Sequence, residues 1–327
     1  MPANLPPRYI AAEQRYREAK DVDDKLAALQ EMLAVMPRHK GTDKLHAGLR
    51  SKIAKLNQES ERKAATAKRA GFFIRREGAG QIVLTGAPNT GKSQLLAALT
   101  SATPEVAMYP YTTQVALPGM MRFEDIQIQL VDTPPLGQKG VRPLISSILR
   151  AADIIAIVAD LSGDPSWEVE WALGELAECR VIPGSMPPDE ELTGGIYAKD
   201  MVIIANKSDA PGADRNLRSL RLKYETFFPI LAVSATQGEG LDRLPGKLFE
   251  ALDVIRVYTK APGQKADMNE PVILPRESTV GEAAEEIHKD FKKGMKYAVV
   301  WGSGKYNAQT VSKTHTLQDQ DIVEFHV

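Results

Sequence analysis

Lys92 and Ser93 close a run bounded by glycine, Gly86-Ala87-Pro88-Asn89-Thr90-Gly91-Lys92-Ser93, whose residue types and spacing suit the binding of phosphate. Glycines at both ends let the loop curl so that successive backbone N–H groups face an anion. A helix starting at once adds its positive end. In such a loop the Lys92 ammonium would reach the terminal phosphates and the Ser93 hydroxyl would ligate Mg²⁺. Gly86, Asn89, Gly91 and Gln94 complete the candidate phosphate contacts.

Further along, Asn206-Lys207-Ser208-Asp209 follows the apolar run 201–205, and Val233-Ser234-Ala235 ends the next one. A carboxylate at Asp209 can accept two hydrogen bonds from guanine, at N1–H and the exocyclic amine, whereas adenine presents an acceptor at N1. Asn206, Lys207, Asp209, Ser234 and Ala235 are therefore the candidate base-binding residues, with the Ala235 N–H reaching guanine O6. Between the two sets, Asp132 ends an apolar run where it can hold Mg²⁺ through water. Tyr109-Pro110-Tyr111-Thr112-Thr113 offers hydroxyls to the same metal, with Thr113 favoured and Thr112 close behind. Lys92, Thr113 and Asn89 are the candidate catalytic residues; Ser93, Thr113 and Asp132 are the candidate metal ligands. The expected ligands are GTP and GDP.

Loops of this kind must be carried on strand ends. Short runs rich in Ile and Val at 82–84, 128–131, 154–158, 202–205 and 230–233 alternate with segments long enough for helices, the pattern of a mostly parallel sheet with helices on both faces. Residues 115–123 and 126–131, separated by Glu124-Asp125, read as a hairpin that adds one antiparallel edge strand. Before this zone, Leu26, Leu29, Leu33 and Met36 keep a helical period, as do Leu45, Leu49, Ile53 and Leu56. Asp21, Asp24 and Thr42 are candidate caps. After it, strand-like runs at 254–258, 272–274, 297–301 and 322–327 surround one amphipathic helix at 280–291. The expected division is a basic helical segment at 1–70, an α/β nucleotide-binding domain at 71–252 and a mixed α+β module at 253–327.

Composition narrows the class. Over 327 residues, 41 Lys and Arg stand against 42 Asp and Glu, so any electrostatic message must be local. The single cysteine, Cys179, excludes a disulfide framework and a multi-cysteine zinc site. No run approaches the roughly 18 apolar residues of a membrane span, and the opening residues do not form a secretory signal. A cytoplasmic protein with no membrane partner is expected.

The set GAPNTGKS, YPYTT, DTPP, NKSD and VSAT resembles the translation-factor-like class of P-loop GTPases. YPYTT points to the Obg group and its developmentally regulated GTP-binding branch. The C-terminal stretch is similar to a TGS domain, a ubiquitin-like β-grasp module. The matching residues are Arg256-Val-Tyr-Thr-Lys260, Pro271-Val-Ile-Leu-Pro275, Ile287-His-Lys289, Lys296-Tyr-Ala-Val-Val-Trp-Gly302 and Asp321-Ile-Val323. This resemblance implies a Mg²⁺-dependent GTP switch that acts on ribosomes or their factors, and TGS modules elsewhere usually occur beside RNA. The helix-rich insertion of the eukaryotic members has no room between Gln138 and Met201, although 183–200 could form a modest insertion of its own. Asn89 matches the asparagine by which potassium-dependent relatives hold K⁺; its other reading is a residue that simply turns the loop.

One position departs from the family pattern. Where its DxxG motif has a glycine whose N–H bonds the γ-phosphate, this chain has Pro135, which has no N–H. Leu136 follows, an apolar residue normal for the family where many GTPases have glutamine. Either Gly137 takes over, or GTP is sensed differently, or hydrolysis is slow. A rival reading is thus a nucleotide-gated binding module with negligible hydrolysis. A second rival, an ATPase, is opposed by Asp209.

Across residues 38–76 there are twelve Lys or Arg against Asp43, Glu59 and Glu61, a local net of +9. On a helix this forms a flank suited to RNA phosphates, or a solvated face. Lys289, Lys292, Lys293 and Lys296 form a smaller patch in the TGS stretch, where the same two readings apply.

Overall fold

The computed structural model describes residues 14–16, 22–36, 48–49, 52, 74–100, 116–137, 141–185, 195–287, 294–304, 306 and 308–326. The chain divides into two compact units, 1–73 and 74–327. In the first, helix α1 (Val22–Val35) brings Leu29, Met32 and Met36 into a buried cluster with Leu49, as the three- and four-residue spacing requires. Arg15 pairs with Glu31 at 2.7 Å. The candidate caps Asp21 and Thr42, the residues Leu45, Ile53 and Leu56, and most of the basic segment lie outside the described residues.

In the second unit the Ile/Val runs are buried on both faces and assemble into a parallel sheet. Strands β1 (Gln81–Thr85), β3 (Ile126–Asp132), β4 (Ile154–Asp160) and β6 (Tyr197–Asn206) are all parallel, in the order β3-β1-β4-β6. Strand β2 (Leu117–Phe123) joins antiparallel to β3, with Leu117 opposite Asp132 and Phe123 opposite Ile126. Glu124-Asp125 is therefore the turn of the expected hairpin, and β2 is the expected antiparallel edge. At the other edge, the ten-residue β6 is flanked by two short strands: β7 (Ile230–Ala232) pairs with its C-terminal half and β5 (Val181–Pro183) with its start. The stretch expected as a modest insertion thus begins at the end of β5 and runs into β6; residues 186–194 lie outside the described residues.

Helices cover both faces. Leu95 and Leu96 of α2 (Lys92–Leu99), with Leu248 and Phe249 of α6 (Leu244–Leu252), pack on Ile82, Leu84, Ile128, Leu130 and Val158. The alternate residues Val83, Val131, Ile155 and Ile157 are equally buried, on the face of α3 (Arg142–Ala151), α4 (Pro165–Glu178) and α5 (Ala213–Tyr224). Helix α4 starts where Asp164 accepts the Trp167 N–H at 3.1 Å and Pro165 takes the first position, which needs no N–H.

The C-terminal module is a second sheet, in the order β11-β10-β12-β8-β9. Its strands are β8 (Val254–Lys260), β9 (Asp267–Pro275), β10 (Tyr297–Trp301), β11 (Gln309–Val311) and β12 (Asp321–His326). β12 is parallel to β8, and the other pairings are antiparallel. Helix α7 (Val280–Ile287) lays Val280, Ala283 and Ala284 on Ile255, Val257, Ala298 and Val300. Its start is a capping box: the Thr279 N–H donates to Glu282 at 2.7 Å while the Glu282 N–H donates to the Thr279 hydroxyl.

Candidate functional site

The loop between β1 and α2 takes the conformation its glycines allow. Gly86 has φ 136° and Gly91 φ 91°; a Cβ on Gly86 would lie 2.5 Å from the Val158 carbonyl, and one on Gly91 would overlap the Asn206 amide. Asn89 also has positive φ, 63°, which asparagine tolerates better than most residues. With Gly91 as the cap, the first N–H groups of α2 open onto a cleft of about 460 Å³ lined by Lys92, Ser93, Gln94, Asp132 and Pro135 together with Asn89. The Lys92 ammonium is folded back onto the loop, donating to the Ala87 carbonyl at 2.7 Å and the Gly86 carbonyl at 3.3 Å. Burial pushes its pKa down, while Asp132 and Glu168 pull it up. A buried ammonium held by carbonyls and facing a cleft is suited to an anion.

Asp132 is brought to the same cleft by the end of β3. Its Oδ2 accepts the Ser93 hydroxyl at 2.5 Å, whereas its Oδ1 is buried without a partner. Burial pushes the carboxyl up, against the Ser93 bond and the Lys92 charge. An orphaned carboxylate oxygen beside a serine hydroxyl is an all-oxygen donor set of the kind hard divalent cations take, so the residues present fit Mg²⁺. The other candidate ligand, Thr113, and its neighbour Thr112 lie outside the described residues.

Asn206, at the end of β6, joins the two loops. Its Nδ2 donates to the Thr90 carbonyl at 2.9 Å, and its Oδ1 accepts the Ala235 N–H at 3.0 Å. The Ala235 N–H, assigned from sequence to guanine O6, is thus engaged by Asn206 here. Ser234 is buried, and its hydroxyl accepts the Gln237 N–H at 3.0 Å, so that side chain builds the turn itself. Asp209 is exposed beyond the end of β6 and does not line the cleft.

Two family models match the chain. Residues 81–207 match the model described as a 50S ribosome-binding GTPase, and residues 255–327 match the TGS domain. An uncharacterized GTP-binding protein of Methanocaldococcus jannaschii is 28% identical over 361 aligned positions, covering 92% of each chain. Developmentally-regulated GTP-binding protein 1 of Xenopus laevis is 28% identical, over 92% of this chain and 97% of that one. This is a P-loop GTPase domain followed by a TGS domain, similar to the developmentally regulated GTP-binding proteins. Both alignments are longer than this 327-residue GTPase, so each relative holds residues without counterpart here. The solved structure of the Schizosaccharomyces pombe YchF GTPase shares the fold, with TM-score 0.50 at 14% identity over 77% of this chain and 99% of that one.

Two features of the GTPase site go beyond the motifs. Pro135 lines the cleft, and the next N–H, from the buried Leu136, donates to the Gly86 carbonyl at 3.4 Å. Gly137 has φ 77°, and a Cβ there would lie 2.9 Å from the Trp171 ring. The second feature is Asp160, which sequence reasoning missed. Its Oδ2 pairs with the Lys207 ammonium, and its Oδ1 accepts the Ser162 N–H and hydroxyl at 2.8 and 2.6 Å. Its backbone N–H is held by Glu168 at 2.7 Å. The available signal was a carboxylate at the C-terminal end of a parallel strand, where ligands of open α/β sheets gather.

Of the basic residues at 38–76, Lys52 is exposed, with its ammonium 6.0 Å from the Tyr16 ring centre, and Arg76 is already paired with Asp153. Lys289, Lys292 and Lys293 lie outside the described residues. Among the described residues, no helix is long and apolar enough to cross a membrane.

Proposed function

We propose that this GTPase is a cytoplasmic, Mg²⁺-dependent switch. Water attacks the γ-phosphorus of GTP, the bond to the β-phosphate oxygen breaks, and GDP and phosphate leave. The observation that carries the reading is the Ser93–Asp132 pair with its orphaned Oδ1, at the mouth of a cleft headed by Lys92 and the start of α2. Ser93, Asp132 and Thr113 would hold the metal, which neutralises charge on the phosphates. Gly86, Asn89, Gly91, Lys92 and Gln94 would contact the phosphates, and Asn206, Lys207, Asp209, Ser234 and Ala235 the guanine side. Hydrolysis without Mg²⁺ at the rate seen with it would defeat the metal assignment.

Asn89 is exposed at the cleft, where a bound K⁺ would assist hydrolysis. Faster turnover in potassium than in sodium is expected; equal rates leave Asn89 as a loop-turning residue.

The partner is a ribosome or another RNA-bearing assembly, engaged by a basic segment at 1–70 and the TGS module at 253–327, on either side of a nucleotide domain at 71–252. Support comes from the +9 local charge at 38–76 and from the family model's own description. Co-sedimentation with ribosomes should differ between GDP and a non-hydrolysable GTP analogue and should weaken steeply with salt. Replacing Lys44, Arg50, Lys52 and Lys55 by glutamine should flatten that salt slope. Unchanged binding would assign the cluster to a solvated face.

The rival, a binding module with negligible hydrolysis, is favoured by one observation: Pro135 occupies the cleft wall without an N–H, and the Leu136 N–H is turned to Gly86. Single-turnover hydrolysis in the presence of ribosomes separates the two readings.

A further inference from the structure

We propose that Arg256 is a positioning residue through which the TGS module and the nucleotide cleft sense one another, by way of the β2–β3 hairpin. Arg256 lies on β8, and its side chain is 3% exposed. Its guanidinium pairs with Glu124 and, at 2.7 Å, with Asp125, the two residues of the hairpin turn. It also binds Asp319 within its own module at 2.7 Å through Nη2 and 3.1 Å through Nε. The cation sits over the rings of Phe123, where β2 ends, and Phe249 of α6, at 5.7 and 5.0 Å. Two residues along β8, the Tyr258 hydroxyl donates to the other Asp125 oxygen at 2.5 Å. The turn is therefore gripped by two side chains of one strand in the neighbouring module.

Three observations make this more than an anchor. First, the hairpin is continuous from grip to cleft. The strands that meet at Glu124-Asp125 end at Leu117 and Asp132, which face each other and both line the cleft. Seven residues of strand, about 23 Å at roughly 3.3 Å per residue, separate the two ends. Second, β2 is an edge strand paired along its length with β3 alone, and its Met121 and Phe123 pack the hairpin onto α2 and α6. The hairpin is therefore a stiff element from turn to cleft. Third, Glu124 has φ 49°, a conformation that residues bearing a Cβ avoid and that glycine or asparagine would take more easily. The turn keeps a glutamate there, and its carboxylate reaches Arg256 beside that of Asp125.

A change of ligand at Asp132 thus acts on a rigid two-stranded element whose far end is held by a buried guanidinium bonded to three carboxylates. Coupling of this kind is reciprocal. If the nucleotide alters the grip, then loosening the grip alters the preference between nucleotides by the same factor. The inference rests on the cleft being the nucleotide site.

The test uses the full chain and measures backbone hydrogen exchange in Val254–Lys260 and Asp321–His326 with GDP and with a non-hydrolysable GTP analogue, alongside the affinities for both. In the unaltered protein, exchange in β8 should differ between the two forms. In Arg256→Gln that difference should vanish, while the affinity ratio of analogue to GDP moves by about fivefold or more. Asp125→Asn and Tyr258→Phe should move the same two readouts in the same direction, and they serve if Arg256→Gln fails to fold. Identical β8 exchange in both forms of the unaltered protein, or milder variants that leave exchange difference and affinity ratio unchanged, would overturn the coupling alone. Failure of the unaltered protein to bind either nucleotide would overturn the assignment of the cleft and the coupling with it.

Discussion

The Lys207 ammonium is paired with the Asp160 carboxylate, across the ends of adjacent parallel strands. Lys207 itself has φ 63°, so its backbone is held in a conformation that lysine does not favour. The pair fixes the direction of a long cationic side chain at the edge of the loop proposed to bind the base. Asp160→Asn should weaken GDP and GTP alike by about tenfold, or roughly 1.4 kcal/mol. Titration with fluorescent nucleotides reads this directly, and unchanged affinity would show that Lys207 needs no such support.

Base selection should follow Asp209. Replacing its carboxylate by an amide in Asp209→Asn exchanges one acceptor for a donor, which matches the N1–H and two carbonyls of xanthine better than guanine. Preference should move toward xanthine nucleotides, measured by competition. An unaltered protein that binds ATP and GTP equally would sink the assignment.

Pro135 sets the expected discrimination between GTP and GDP. A hydrogen bond from backbone N–H to a charged phosphate is worth roughly 1.5–3 kcal/mol, and Pro135 cannot make it. Restoring the donor with Pro135→Gly should strengthen GTP preference by about one to two orders of magnitude, read as the ratio of the two dissociation constants. A strong preference already present and unaffected by the change would place the sensing donor elsewhere.

Acid should loosen the junction between the modules. Burial works to raise the Asp125 carboxyl, but the bonds from Tyr258 and Arg256 outweigh it and hold the group below its usual 3.8. Asp319 is likewise raised by burial and lowered further by Arg256. The same surroundings push the Tyr258 hydroxyl up to about 12, so it donates at any physiological pH. A depressed carboxylate contributes its full stabilisation above its unfolded pKa and loses it as pH falls through the lower folded value. Exchange protection of β8 should therefore hold from neutral pH down to about 4 and fall below that. Asp125→Asn should flatten the fall; an equally steep loss would assign it to other carboxylates.

Much of the nucleotide domain was legible because its chemistry and its scaffold are local in sequence. The Ile/Val runs give the strands, and each motif sits where a run ends. What escaped notice was either too short or too distant. β5 and β11 are three residues each and, unlike the equally short β7, are not part of an uninterrupted apolar run. Asp160 and Arg256 acquire their roles from partners 47 and more than 130 residues away, brought near only by sheet order and module packing. That the Ser234 hydroxyl accepts the Gln237 N–H within its own turn is likewise a detail that motif spacing does not carry.

The split outer border of β6 bears on self-association. A long flat edge offers a stranger's strand a ladder of unpaired amides and carbonyls, the route to sheet-to-sheet growth. Here that border is divided between β7 and β5, each three residues long, and β5 ends in Pro183, which has no N–H to offer. An incoming strand at either would find only a few rungs before the template ran out. The arrangement favours a protein that stays dispersed at the concentrations its synthesis produces.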